Sequence, residues 1–129
     1  IVSFAIGKHN NSQLVFDTFD LAVQKYPDAH PLFHSDRGFQ YTSQQFKARL
    51  DKQKMTQSMS RIGRCIDNGP IEGFWGILKC EMYYLNNFET YEELVTAVDQ
   101  FIHYYNTQRR QHRLDCQTPA GYRSLLEAA

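Results

Sequence analysis

Asp67-Asn68-Gly69-Pro70-Ile71-Glu72-Gly73-Phe74-Trp75-Gly76-Ile77-Leu78-Lys79 is the stretch that decides the fold. Asn68 is a residue type that caps helices, and Pro70 is tolerated in a first turn, where its missing N–H has no partner to lose. Ile71, Phe74, Trp75, Leu78, Met82 and Leu85 then recur at steps of three and four, the spacing of one helix face. The stretch therefore predicts an amphipathic helix that needs a partner surface, with Trp75 on its packed face.

Working towards the amino terminus, Thr56-Gln57-Ser58-Met59-Ser60 reads as a strand, followed by a loop over 61–65. Before it, Pro31-Leu32-Phe33-His34 reads as a second short strand running into the turn Ser35-Asp36-Arg37-Gly38. Thr42 and Gln45 form a capping box for a helix carrying Phe46 and Leu50. Val15, Phe19, Ala22, Val23 and Tyr26 make a helical stripe over 12–26, closed by Pro27. The apolar run Ile1 to Ile6, stopped by Gly7-Lys8-His9-Asn10-Asn11, reads as a buried strand.

Working towards the carboxyl terminus, Thr90 and Glu93 form another capping box, opening a helix striped by Tyr91, Leu94, Val95, Val98, Phe101, Ile102 and Tyr105. Thr118-Pro119 starts a last short helix through Tyr122 and Leu125. Strands alternating with helices, then helices alone, describe an α/β layered domain with a helical carboxyl-terminal edge.

The 129 residues suit one domain with a real core, and the apolar and aromatic shares, 42% and 14%, exclude a disordered tail. No apolar run approaches the roughly 18 residues of a membrane span, and a secretory leader pattern is absent, so a cytosolic protein is expected. Cys65, Cys80 and Cys116 include no C-x-x-C pair and are expected to be reduced thiols without a metal. Fourteen basic and fourteen acidic side chains give a net charge of zero. The signs are segregated, however. Lys47, Arg49, Lys52, Lys54, Arg61 and Arg64 form one basic block and Arg109, Arg110 and Arg113 another, with Glu81, Glu89, Glu92, Glu93 and Asp99 between them. Such blocks suit a polyanionic partner, but a solvated surface gives them more often.

Two carboxylates stand out. Asp36 falls just after a predicted strand, in a Ser-Asp-Arg-Gly turn, where sheet ends expose functional groups, although an aspartate before a glycine also serves as a plain turn former. Glu72 lies in the first turn of its helix, off the apolar stripe, where a solvated glutamate favouring the helix dipole is the simple alternative. His34-Ser35-Asp36-Arg37-Gly38-Phe39-Gln40-Tyr41-Thr42-Ser43 and Ser58-Met59-Ser60-Arg61, leading to the quoted Asp67–Lys79 stretch, closely resemble the integrase core of IS3-type insertion-sequence transposases, within the DDE class. The resemblance extends through Tyr105-Asn106-Thr107-Gln108-Arg109, His112, Leu114 and Thr118-Pro119, from Ile1 to about Leu125.

The resemblance implies an RNase H-like mixed sheet flanked by helices. It makes Asp36 and Glu72 the second and third members of an acidic triad holding Mg²⁺ or Mn²⁺, two ions in the complete set. Hard cations of this kind take carboxylate and phosphate oxygens and serve in-line phosphoryl transfer. The implied reaction is nicking and joining of DNA strands, with element ends and target DNA as partners, other transposase copies as associates, and neither a membrane nor a small-molecule substrate. Lys79, seven residues after Glu72, returns to nearly the same helix face roughly 10 Å along the axis, and the resemblance gives it a DNA phosphate. Arg109, Arg110 and His112 are further candidates for DNA contact, although cations also suit a helix carboxyl terminus. A bacterial, nucleoid-associated cytoplasmic location follows.

The family's first aspartate lies two strands before the equivalent of Ile1, and Asp17 and Asp20 do not match it. The expectation is thus a partial catalytic core over 1–129, with a sheet-and-helix part to about 88 and a helical extension over about 89–129. It lacks the first strands, is inactive alone, and has Ile1 to Ile6 as an exposed sheet edge prone to self-association. The competing readings are a non-catalytic remnant that binds DNA or its own relatives, and an unrelated two-carboxylate hydrolase, for which no third ligand is evident in the chain.

Overall fold

The computed structural model describes residues 1–62 and 65–129. The chain divides into two compact units, Val2–Gly73, and Phe74–Ala129 together with Ile1.

In the first unit, helix α1 (Ser12–Lys25) begins where Asn11 accepts a hydrogen bond from the Leu14 N–H at 2.9 Å, satisfying one of the donors that a helix start leaves open. Strand β1 (Leu32–Ser35) leads to the short helix α2 (Phe39–Thr42) and to helix α3 (Gln44–Lys52). Strand β2 (Thr56–Met59) runs parallel to β1, pairing Leu32 with Thr56 and Ser35 with Met59. The helix-bearing crossover between them is what parallel strands require. The core is aromatic. Phe46 and Leu50 are wholly buried beside Phe16 and Phe19, with Val15, Val23, Phe33, Tyr41 and Met55 packed around them.

Helix α4 (Gly69–Glu81) passes from the first unit into the second. Helix α5 (Tyr91–Thr107) starts at the expected box. Thr90 accepts from the Glu93 N–H at 3.2 Å, while the Glu93 carboxylate reaches back to the Glu89 N–H at 2.9 Å. Helix α6 (Pro119–Glu127) is capped by Thr118, as expected. Leu78, Met82 and Phe101 form the core of this unit, with Phe74, Ile77, Val98 and Tyr105 against them.

Four expectations need correction. Ile1 to Ile6 is not a strand, and among the described residues the sheet contains β1 and β2 alone. An extended segment becomes a strand only when another backbone takes its N–H and C=O groups. Here side chains take backbone groups of the run instead, Lys25 donating to the Val2 carbonyl at 3.3 Å and Asn106 to the Ile1 carbonyl at 2.9 Å, while the Ser3 hydroxyl donates to the Thr18 carbonyl of α1 at 2.8 Å. Most of the run is half-buried, so it is not an exposed sheet edge either.

The cap of α3 is Ser43, which accepts from the Phe46 N–H at 3.2 Å, because Thr42 is still helical as the last residue of α2. The quoted helix ends at Glu81, and Tyr83–Leu85 form a separate 3₁₀ turn that leaves Leu85 exposed. Trp75 is 50% exposed rather than packed. The buried face of α4 centres on Phe74, Ile77 and Leu78, and at about 100° per residue Trp75 falls to its flank. Gly63 and Arg64, in the expected loop over 61–65, lie outside the described residues.

Candidate active site

The carboxyl end of the two-stranded sheet gathers the buried polar side chains of the first unit. Among the described residues, the buried polar side chains are Ser35, Gln40 and Ser60, and all three belong to this end. The Ser60 N–H donates to the Ser35 carbonyl at 2.9 Å, extending the pairing of β1 and β2 by one step. The Gln40 amide donates to Asn10 at 2.9 Å, tying the turn after β1 to the loop before α1. Burial without partners would cost each group about 1–3 kcal/mol, and the two hydroxyls avoid it, Ser35 by donating to the Asp36 carbonyl at 2.9 Å and Ser60 by donating to Asn68 Oδ1 at 3.0 Å.

Asp36 follows the last residue of β1 and is exposed. One of its oxygens, Oδ1, accepts from the Gly38 N–H at 2.8 Å, and a Cβ at Gly38 would lie 3.0 Å from that oxygen and 3.1 Å from Gln40 Oε1. The φ of Gly38 is −55°, which any residue adopts, so glycine serves here through its missing side chain. Burial, and then the Asp36 charge, push the Tyr41 phenol up, which sets Tyr41 within electrostatic reach of that carboxylate.

Glu72 stands in the first turn of α4, exposed, with no hydrogen bond or ion pair to any described residue. The start of α4 is tied back to the sheet end twice. The Ser60 hydroxyl donates to Asn68 Oδ1 at 3.0 Å. Asp67 takes the Arg61 guanidinium through both oxygens at 2.9 and 3.0 Å and the Arg61 N–H at 3.0 Å. Arg61 holds the Asp67 carboxyl far below the usual carboxylate range by these same bonds. Asp67 is therefore committed to Arg61, whereas Asp36 Oδ2 and the whole Glu72 carboxylate face no described cation. No group of three or more His, Cys, Asp or Glu side chains placed to hold a metal ion occurs among the described residues.

The cations have diverse employment. Lys79 is exposed on α4 with no partner among the described residues. Arg109 is held in a fork by Glu81, with Nε to Oε2 at 2.8 Å and Nη2 to Oε1 at 2.6 Å, and its guanidinium lies 5.7 Å from the Tyr105 ring centre. Arg109, a candidate for DNA contact, thus has an acidic partner 28 residues away in the chain. Arg110 is exposed and donates to the Cys116 carbonyl at 3.4 Å, and His112 is exposed at the start of a 3₁₀ turn. In the basic block of the first unit, Lys47 pairs with Asp51, Arg61 with Asp67, and Arg49 sits 3.5 Å from Asp20 and 4.2 Å above the Phe16 ring. Lys52 and Lys54 have no acidic partner among the described residues. Cys80 and Cys116 carry free thiols.

Two family models, both described as integrase core domain, match residues 1–65 and 72–125, so that Asp36 lies in the first match and Glu72 opens the second. The chain belongs to the integrase core domain family. Relatives of this integrase core include the putative transposase InsK for insertion sequence element IS150 of Escherichia coli, 38% identical over 96% of this chain and 44% of that protein. An uncharacterized transposase-like protein of Haemophilus influenzae is 36% identical over 96% of this chain and 57% of its own length. The transposase InsF for insertion sequence IS3A of Escherichia coli is 31% identical over 85% and 39%. The chain spans about half the length of the curated relatives it matches. No solved structure matches it. No helix among the described residues is long and apolar enough to cross a membrane.

The residues that sequence reading missed are Ser60, Gln40 and Tyr41 as neighbours of Asp36. Each sits inside a quoted motif; Ser60 directly follows β2, which was a readable signal, whereas Gln40 and Tyr41 lie five and six residues beyond β1 and carried none.

Proposed function

We propose that this chain is part of the catalytic core of an insertion-sequence transposase, in which Asp36 and Glu72 supply two of the carboxylates that hold Mg²⁺ or Mn²⁺ while DNA strands are nicked and joined. The observation that carries the reading is the arrangement at the sheet end: Asp36 directly follows β1, Glu72 opens α4, and Ser60 hydrogen-bonds to both Ser35 and Asn68. The domain is RNase H-like, with β1 and β2 as two strands of a larger mixed sheet, and residues 1–129 form one partial catalytic core.

The donor set fits the group. Mg²⁺ is commonly held by one or two carboxylates with phosphate and water oxygens completing its shell, and two exposed carboxylates without cationic partners meet that requirement. When bound, the ions supply charge neutralisation for an in-line phosphoryl transfer, to water in nicking and to a freed 3′-hydroxyl in joining. Asp36 and Glu72 act as fixed ligands rather than as acid and base. Gly38 orients Asp36 by donating its N–H, and Arg61 keeps Asp67 from competing for the cation. Lys79, Arg110 and His112 are assigned to DNA phosphates, as is Arg109, whose guanidinium is held by Glu81. The partners are element ends, target DNA and other transposase copies, in the bacterial cytoplasm at the nucleoid.

The test is Mg²⁺-dependent joining of element-end oligonucleotides by a polypeptide in which this chain is preceded by a strand bearing the remaining aspartate. Removing even an outer-shell partner costs about 10–100-fold, so Asp36→Asn and Glu72→Gln should each lower joining by at least about 100-fold. Duplex binding should change little. Joining by Asp36→Asn at the unmodified rate would overturn the reading.

A further inference from the structure

Ser60 spends every polar group it has on one junction. Its N–H donates to the Ser35 carbonyl at 2.9 Å, its carbonyl accepts from Arg37 Nε at 2.9 Å, and its buried hydroxyl reaches Asn68 Oδ1 at 3.0 Å. The direction of that last bond is fixed by chemistry, because an amide oxygen only accepts. The Ser35 carbonyl, 3.3 Å away, is a second and longer acceptor for the single hydroxyl proton, and Ser60 Oγ is left as an acceptor for His34 Nε2 at 3.4 Å. A neutral ring protonated at Nε2 offers Nδ1 as acceptor, and the Ser58 hydroxyl stands 3.0 Å from it. One consistent proton direction runs from Ser58 through His34 and Ser60 to Asn68.

We propose that Ser60 is a positioning residue, whose hydroxyl ties the start of α4 to the end of β1 and thereby holds Glu72 in place relative to Asp36. The proposal rests on the reading that these two carboxylates share a divalent ion. Asn68 immediately precedes α4, and Glu72 follows it by four residues, so the tie acts within one helical turn of the ligand. Alanine at position 60 removes the hydroxyl alone. Both backbone bonds of residue 60 remain, as does the separate clamp of Arg61 on Asp67, so the unit keeps its fold.

The experiment uses the 129-residue chain with Mn²⁺ as probe, following free Mn²⁺ by electron paramagnetic resonance and amide exchange by NMR. A net hydrogen bond corresponds to a change of up to about tenfold, so Ser60→Ala should weaken Mn²⁺ binding by about 3–10-fold and speed exchange at the Gly73 and Phe74 amides by a similar factor. Asn68→Ala should match it, the double variant should be no worse than either single one, and Ser60→Ala should have no further effect on binding in a Glu72→Gln background. Unchanged exchange at Gly73 and Phe74 in Ser60→Ala would overturn the tie itself. Unchanged Mn²⁺ affinity in Ser60→Ala, with Glu72→Gln weakened, would overturn the positioning role and leave the ion reading standing. Failure of the unsubstituted chain to bind Mn²⁺ would instead overturn the shared-ion reading, and the role given to Ser60 with it.

Discussion

Phe46→Ala should come close to unfolding the first unit. Phe46 is wholly buried, and its ring meets those of Phe16, Phe19, Phe33 and Tyr41 at centre distances of 6.3, 5.5, 5.2 and 5.5 Å. Truncating a buried phenylalanine costs about 3–5 kcal/mol through lost transfer energy and the remaining cavity, and aromatic pairs worth about 0.5–1.5 kcal/mol each put this case at the upper end. A domain of ordinary size is stable by roughly 5–15 kcal/mol, so the variant would be left marginal. Phe46→Leu keeps most of the volume and should cost about 1–1.5 kcal/mol. Because Phe33 lies on β1 and Tyr41 lies near Asp36, the same loss should loosen the sheet end. Urea titration followed by far-ultraviolet circular dichroism measures both variants. A cost below about 1 kcal/mol for alanine, or equal costs for alanine and leucine, would refute the account of this core.

Two further outcomes test one contact in each unit. The Arg109–Glu81 fork has side chains 23% and 37% exposed, so solvent screens it, and a double-mutant cycle with Arg109→Ala and Glu81→Gln should give a coupling of only about 0.5–1 kcal/mol at neutral pH. Arg109 lowers the folded-state pKa of Glu81 below its ordinary value of 4.5. The coupling is therefore fully present above that value and fades as pH falls through the lowered folded value; denaturant titrations at neutral and acid pH that gave the same coupling would contradict it. Gly38→Ala meets no backbone strain, so stability should change by less than about 1 kcal/mol, yet the new Cβ crowds Asp36 Oδ1 and should weaken Mn²⁺ binding several-fold by calorimetric titration. Unaltered binding would show that Asp36 is not held by the close approach at Gly38.

The local signals in the chain were legible where structure is decided locally. The stripe over 12–26 became α1, Thr90 and Glu93 formed their reciprocal cap, and Asp36 does follow a strand end. Ile1 to Ile6 misled because apolarity reports burial, whereas strand character depends on a partner backbone that the residues themselves do not encode. Trp75 misled for a related reason, since a stripe wider than the contact it makes leaves its flank in solvent. The resemblance made Asp36 and Glu72 legible as candidates. What it did not carry was the arrangement around them: Ser60 joins two segments far apart in the chain, and Arg109 meets Glu81 only once two helices are formed. Long-range pairings of this kind have no local pattern to read.

Amide NMR of the chain under substoichiometric Mn²⁺ tests most directly whether Asp36 and Glu72 hold one ion. A shared ion predicts that the Gly38 and Gly73 resonances broaden together at the same Mn²⁺ level, and that Asp36→Asn or Glu72→Gln relieves both. Broadening confined to one of the two glycines, or Gly38 broadening that survives Glu72→Gln, would contradict it.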